Sequence, residues 1–599
     1  AVENPFFNVN KNVFNSLTDR YKLNTQLNVT PTEWLKFVGQ VGVDYFTTKT
    51  TIVRHPESLS GINYGGVFDQ ALATTRNLTF QSYAQITPGS LFNGLVETDL
   101  KLGGAIYDYN TFSASAEGLD FQAPDLYSIN NTRLDTHRAF NNLSQRRLVG
   151  LFGSFNASYD KMLFLTLTAR NDWSSTLPVK NNSFFYPSAG LSFIFTELDA
   201  FSGFKDILSY GKLRGSIAQV GKDASPYSIR PFYTNATTTG GGFRYGFTGP
   251  SLNLVPEMTT SYEYGTELRF FGNRLGLDVT YFNKKSVDQI VQNLRLSYAT
   301  GFVLMTFNAG EIQNEGVELQ LNATPIRTPD FSWDILANYT KNWSELVSLP
   351  GDVSEFYNSD TWLYGNVRGG ARVGGPLTTF TGYDFQRTED GEILVNPANG
   401  LPLLDTSEWI IVGDRQPDFT VGLSNTLNYK NLSLNFLLDF RVGGDVYNAT
   451  EHYLTTRGLS TRTLDRDTPR IVEGVLKDGN ENTSPTQNNI PLDMARNSTY
   501  WSSVYPYQSF IEKDVNWMRL RDITLRYNFT PALLEKTNAI QSASVFVTGT
   551  DLFILTNYSG LDPVGNGNSA AVGGAGGYGF DYGNFPMPMG INVGLRVGL

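Results

Sequence analysis

The sequence predicts an all-β protein, a large antiparallel transmembrane β-barrel of about 17 strands. Three observations predict it. Apolar and polar residues alternate with period two in segment after segment, the pattern of strands with one apolar and one polar face. The connections alternate between tight turns and long irregular segments, as they do in membrane barrels. Aromatic residues gather where strands meet tight turns, the level of the girdles at lipid headgroups.

Taken in order, "YKLNTQLNV" puts Tyr21, Leu23, Leu27 and Val29 on one face. After a "TPTE" turn, Leu35, Phe37, Val41, Val43 and Tyr45 repeat the pattern. "LFLTLTARND", "YEYGTELRFFGNRLGLDVTYF" and "VELQLNATPIRTPDFSWDILANYTKN" read as further strands and hairpins. In "NLSLNFLLDFRV", Leu432, Leu434, Phe436, Leu438, Phe440 and Val442 oppose Asn431, Ser433, Asn435, Asp439 and Arg441. At the end, Ile591, Val593, Leu595 and Val597 oppose Asn592, Gly594, Arg596 and Gly598. Strand starts fall near residues 20, 33, 76, 91, 146, 161, 184, 208, 260, 274, 315, 331, 417, 431, 515, 541 and 587. Helical periodicity is confined to "PALLEKTNAIQ" (531–541).

Short turns are expected at Thr30–Thr32, Thr87–Ser90, Asp160–Lys161, Gly272–Asn273, Thr328–Asp330 and Lys430. Long loops rich in Gly, Asn, Ser, Thr and Pro are expected over 55–70, 115–145, 221–257, 347–416, 446–512 and 559–586. Trp34, Phe37, Phe270, Phe271, Phe331 and Trp333 flank the short turns. A two-layer sandwich with polar alternates on nearly every strand would need water along one side of every sheet. A barrel whose polar face lines a wide lumen needs no such arrangement.

Composition narrows the function. Charged residues are 17% and the net charge is -11, against a nucleic-acid binder, which carries a basic patch. Cysteine is absent, which removes disulfides, thiolate metal sites and cysteine nucleophiles. His55, His137 and His452 are widely spaced, with no second ligand at metal spacing. There is no apolar run of the roughly 18 residues a membrane helix requires. No leader peptide is legible at Ala1.

Several stretches together resemble the barrel portion of SusC/RagA-like TonB-dependent transporters of the Bacteroidota outer membrane. They are "TSYEYGTELRFFGNRLGLDVTYFNKKSVDQI" (260–290), "NAGEIQNEGVELQL" (308–321), "ARNDWSSTL…FFYPSAGLSF" (169–193), "GVLKDGNENT" (474–483), "WMRLRDITLRYNF" (517–529) and "TNYSGLDP" (556–563). They occur in the family's order and cover most of the chain, so residues 1–599 are expected to be one barrel domain.

The resemblance implies a bacterial outer-membrane location and about 22 strands in the complete wall. The odd strand count, and the absence of plug and TonB-contacting segments, imply an N-terminally truncated piece. It also implies import of oligosaccharides or peptides. The implied partners are a SusD-like lipoprotein, TonB–ExbB–ExbD acting through the plug region, and outer-membrane lipid and lipopolysaccharide, with no nucleic acid. A porin-like passive channel and a soluble β-rich glycan-binding adhesin are the alternatives from other classes.

In "NAGEIQNEGVELQLNAT", Val317, Leu319 and Leu321 are expected to face lipid, and Glu318, Gln320 and Asn322 the lumen. The repeated Asn-Gly ahead of them would shape the backbone where the strand leaves its loop. Arg170, Asp172 and Glu267 join Glu318 and Gln320 as candidates for the lumen lining. Trp362, Tyr364, Trp501, Tyr505 and Tyr507 lie in long loops and are candidates for substrate contact, because aromatic faces stack on sugars and peptides alike.

Catalytic and cofactor patterns fail on context. "GAGGYG" (574–579) lacks the flanking strand and helix of a dinucleotide site. Glu263 and Glu267, at i, i+4 on a strand, stand roughly 13 Å apart, too far for a glycosidase pair. Asp478, Asn480 and Asn482 alternate as in a calcium loop but lack its distal Glu. No enzyme, cofactor or metal is expected.

Overall fold

The computed structural model describes residues 4–123, 125–235, 242–295, 298–351, 353–359, 367–494, 507–535, 540–564 and 578–598. Seventeen long strands stand one for one where alternation predicts them. They are β1 Val13–Thr32, β2 Leu35–Arg54, β3 Val67–Ile86, β4 Val96–Leu119, β5 Arg138–Tyr159, β6 Leu163–Ser174, β7 Ser183–Ile194, β8 Leu208–Lys222, β9 Glu257–Phe270, β10 Leu275–Val287, β11 Glu311–Arg327, β12 Phe331–Ser348, β13 Phe419–Tyr429, β14 Leu432–Val442, β15 Trp517–Asn528, β16 Ser542–Thr556 and β17 Gly590–Gly598.

The chain divides into two compact units. The first holds Ala1–Ser192, Ser216–Thr259 and Tyr298–Asn308, and the second holds Phe193–Gly215, Thr260–Ser297 and Ala309–Leu599. In the first unit β1 to β6 pair with their chain neighbours in antiparallel register. In the second, β10 to β17 do the same.

Register makes each wall two-faced. One row in the second unit runs Leu277, Leu321, Ala337, Leu423, Leu438, Leu520 and Phe553 across seven strands. One residue along, the opposite face runs Asp278, Gln320, Asn338, Gly422 and Asp439. In the first unit Phe37, Val41 and Tyr45 of β2 are exposed together with Leu23, Leu27, Phe80, Leu102, Ile106 and Leu151 of its neighbours. A water-soluble sheet would bury such a face; a wall in hydrocarbon leaves it outward. From Phe37 to Tyr45 the strand rises roughly 27 Å, close to the apolar band of membrane barrels. Trp34 and Tyr159 mark one margin of this belt, and Tyr21 and Tyr45 the other; all four are exposed.

Several expectations need correction. The long loop expected over 115–145 is strand at both ends, because β4 runs to Leu119 and β5 starts at Arg138. These residues have both faces in water, so hydropathy alternation vanishes while the hydrogen-bond ladder continues. β1 likewise begins at Val13, well before residue 20. The turn expected at Thr87–Ser90 is a longer connection in which Ser90–Leu91 pairs with Val96 and Glu97. A loop over 288–310 was not anticipated, and it holds Ile290–Arg295 and Leu304–Asn308 as short strands.

Of the helix expected over 531–541, Pro531–Leu534 is helical and residues 536–539 lie outside the described residues, while Pro5–Lys11 and Ala449–Thr456 are helical without having been anticipated. Both carry cap signals in the sequence. Asn4 precedes Pro5 and accepts from the Phe6 N–H, and Asn448 accepts from the Glu451 N–H.

Candidate functional site

The "NAGEIQNEGVELQL" stretch forms the start of β11. Gly310 has φ +95°, a conformation that suits glycine. A Cβ at Gly316 would come within 2.7 Å of the Phe282 ring and 2.6 Å of the Lys341 carbonyl. The glycines therefore admit a loop exit and a close strand approach. Beyond them Glu318 sits in register with Thr280 and Thr340, and Gln320 with Asp278 and Asn338. Both side chains are open to solvent on the polar face.

The other polar-face candidates are placed as pairs. Arg170 donates to Asp172 at 2.8 Å, and the Tyr186 hydroxyl donates to the same carboxylate. Gly150 lies opposite Asp172 on β5, and a Cβ there would come within 2.2 Å of the Asp172 carboxylate and 2.5 Å of Arg170. The small residue makes room for the pair. Glu267 accepts from Arg269 at 2.6 Å. In the first unit, Asp223 is held by Arg146 through two bonds of 2.8 and 2.7 Å.

A further charge cluster escaped sequence reasoning. At Arg521 the ladder between β14 and β15 slips, and Asp551 of β16 has φ +50° where β15 and β16 slip as well. Bulges of this kind re-aim side chains. Arg521 reaches Asp439 at 2.8 Å and Asp551 at 3.5 Å, while Arg519 reaches Asp551 at 3.4 Å and Asp562 at 2.6 Å. Arg519 and Asp562 are buried. Burial alone would raise the Asp562 pKa, but the Arg519 guanidinium and the N–H groups of Met587 and Val564 hold it below the usual carboxylate value. The loop after β16 is thus pinned to the polar face of the wall. The "RLRD" run of β15 was the available signal, since two arginines on successive odd positions of a strand point to one side.

Above these strands the loops fold on themselves. Glu355–Ser359, Val367–Arg372, Thr379–Phe385 and Leu404–Asp414 make a four-stranded antiparallel sheet. Phe380, Tyr447, Phe510 and Phe580, from loops far apart in sequence, share one buried core. Phe380 and Phe580 meet edge to face at 4.9 Å. His452 stacks on Phe510 at 4.5 Å and bonds Tyr447 through Nδ1 at 2.6 Å. Burial pushes the His452 pKa down to about 4. Arg415 is buried against Phe380 and Phe580, donating to the Thr378 and Tyr578 carbonyls at 2.8 Å each, and burial lowers its pKa to about 10. It stays charged at neutral pH.

Of the aromatic candidates for substrate contact, Trp362, Tyr364, Trp501 and Tyr505 lie outside the described residues. Tyr507 opens the short 3-10 helix Tyr507–Phe510, which carries Phe510 into the loop core. A half-buried pair not anticipated is Tyr383 and Trp409, 4.5 Å apart, with Arg368 over the Trp409 ring at 3.7 Å. Glu263 accepts from Ser261 at 3.2 Å and Glu267 from Arg269, so each carboxylate has its own partner. The Asp478 side chain caps the Asn480 N–H at 3.0 Å, which makes the segment a turn. Among the described residues no group of His, Asp or Glu has metal-site geometry.

The profile of a family described as TonB dependent receptor-like, beta-barrel matches residues 3–449. The chain is 28% identical to a TonB-dependent receptor of Formosa agariphila, over 83% of this chain and 51% of that protein. It is 26% identical to the TonB-dependent receptor SusC of Bacteroides thetaiotaomicron, over 88% of this chain and 52% of that protein. The chain therefore spans about half the length of these curated relatives. Among solved structures it matches a chain of the RagAB peptide transporter with a TM-score of 0.77 at 19% identity, covering 99% of this chain and 63% of that one. At that identity the likeness is one of fold. The relatives are receptors and transporters, not enzymes.

Proposed function

This chain belongs to the TonB-dependent receptor-like β-barrel family and lies in the bacterial outer membrane, and from that premise we propose that the whole protein is an energy-coupled importer. Residues 1–599 supply its barrel wall. The cargo is an oligosaccharide or a peptide, TonB–ExbB–ExbD drives the cycle, and a SusD-like surface lipoprotein closes over the loops.

The observation that carries this reading is the two-faced register. A polar row from Asp278 through Gln320, Asn338 and Gly422 to Asp439 backs an unbroken apolar row. Such a wall passes hydrophilic cargo along one side while its other side meets hydrocarbon. Arg170, Asp172, Glu267, Glu318 and Gln320 line the path in this reading. Trp362, Tyr364, Trp501, Tyr505 and Tyr507 are the proposed cargo contacts, on the sequence alone.

Uptake of labelled oligosaccharides and peptides is the test, measured in cells that carry the full-length protein, with and without TonB. Accumulation of one cargo class that ceases without TonB is the expected result. Uptake continuing at an undiminished rate without TonB would replace the importer with a passive channel.

A further inference from the structure

The apolar belt of the first unit ends abruptly. One row across it, Val41, Phe80, Ile106, Val149 and Trp173, is wholly apolar. The next row toward the long loops runs Val43, Leu78, Asp108 and Arg147, and the one after it Tyr45, Arg76, Asn110 and Gln145. All are on the same face as the belt, because residues two apart along a strand share a side.

Arg147 thus stands about 7 Å above the last wholly apolar row, and Arg76 about 14 Å above that row and about 7 Å above Leu78. Arg147 bonds Asp108 through Nε at 2.8 Å, and Arg76 stands 3.9 Å from the other oxygen of the same carboxylate. Asp108 is tucked in at 17% side-chain exposure, whereas Arg76 and Arg147 remain 51% and 64% exposed. The cluster therefore presents two guanidinium groups outward around one shielded carboxylate, a net positive charge.

We propose that Arg76, Asp108 and Arg147 form a docking site for the phosphate of a membrane lipid headgroup. Guanidinium groups bind phosphate through paired N–H donors, and each arginine has more donors than Asp108 can occupy. The height selects a lipid. The cluster is level with Tyr21 and Tyr45, the aromatic margin of the belt, and the strands continue well above it to Val13 and Arg54. A lipid whose phosphate sits here lays its acyl chains along Phe80, Ile106 and Val149, which are exposed directly below. Asp108 holds the two guanidinium groups at a fixed spacing that flexible surface lysines would not keep. Anionic headgroups beside basic residues at a membrane surface supply further attraction.

The test is native mass spectrometry of the full-length protein in detergent, titrated with diphosphoryl lipid A, its phosphate-free form, or inorganic phosphate. The site predicts that wild type retains diphosphoryl lipid A and that R76Q/R147Q lowers its occupancy about tenfold. It predicts that D108N, which loses the competing charge but keeps an oxygen that accepts from the Arg147 guanidinium, binds at least as well as wild type. The phosphate-free form should bind weakly to both wild type and R76Q/R147Q. Heat-modifiable mobility in gels checks that each variant remains a folded barrel. Unchanged retention in R76Q/R147Q overturns the site. So does equal binding of the phosphate-free form. Displacement of the lipid by inorganic phosphate at comparable concentration would assign the cluster to free phosphate instead.

Discussion

In the unit that begins at the N-terminus, β1 to β5 are 20 to 24 residues long, whereas β13 to β17 in the other unit are 9 to 15. A membrane strand needs about 9 to 11 residues. The long strands extend beyond the belt as bare ladder, with threonine pairs such as Thr18–Thr48 at 2.9 Å and Thr75–Thr111 at 3.1 Å across neighbouring strands. The short strands instead hand the chain to loops that bury their own aromatic core and charged pairs. One region gains order from backbone pairing in water, the other from tertiary burial. Substitutions should therefore act weakly and locally in the first, and strongly in the second.

The largest effect is expected at Arg519. Replacing it with Met leaves Asp562 buried without its guanidinium, and breaking a buried pair costs about 3–5 kcal/mol. Hydrogen exchange in the loop after β16 should rise by about two to three orders of magnitude while β1 to β5 are unchanged. A rise confined to β15 itself, with the loop still protected, would mean that the aromatic core alone holds the loop.

His452 gives the next effect, and it depends on pH. Its pKa in the folded loops is about 4, against 6.5 for the free side chain. Above pH 6.5 both states are neutral and the contribution is complete. As pH falls through 6.5 the unfolded loop takes up a proton first, so stability declines until about pH 4, by about 3 kcal/mol in all. Protease resistance of the loop layer should fall across that window, and H452F should flatten the fall. A loop layer equally resistant at pH 7 and pH 4.5 would place the imidazole outside the core.

The contrast between the regions also explains what the sequence made legible. Val317 to Ala323 announce a strand because lipid and water on opposite sides impose period two. Thr47 to Thr51 announce nothing, because both faces of that ladder are wet and hydropathy has no contrast to record. The polar-face placement of Glu318 and Gln320 followed from the same alternation as the strands. The loop core did not, since Phe380, Tyr447, Phe510 and Phe580 come together over separations for which one sequence holds no periodic signal. Asn448 and Glu451 did carry a readable cap, the Asn-x-x-Glu spacing of a helix start.

A middling effect is expected at Gly150, which belongs to the ladder region yet faces a built pair. Gly150→Ala places a methyl against Arg170 and Asp172, and relief requires the pair to move away from Tyr186. Overpacking of this kind costs about 1–3 kcal/mol. Thermal unfolding in detergent should register it, and a neutral outcome would mean that the pair is freely mobile on an open polar face.

The smallest effect separates the two regions most sharply. Arg20 and Asp44 make a well-formed pair in the ladder region, with Arg20 Nε 2.7 Å from the carboxylate. On geometry alone it rivals Arg519 and Asp562 at 2.6 Å. The difference is water: Arg20 is 48% exposed where Arg519 is 3%. Solvent and salt screen the first pair, and its loss leaves two hydrated groups with no burial penalty. Arg20→Gln should therefore leave hydrogen exchange in β1 and β2 unchanged at moderate salt. A rise there comparable to that of R519M in its loop would mean that ion pairs, and not the backbone ladder, hold the upper strands.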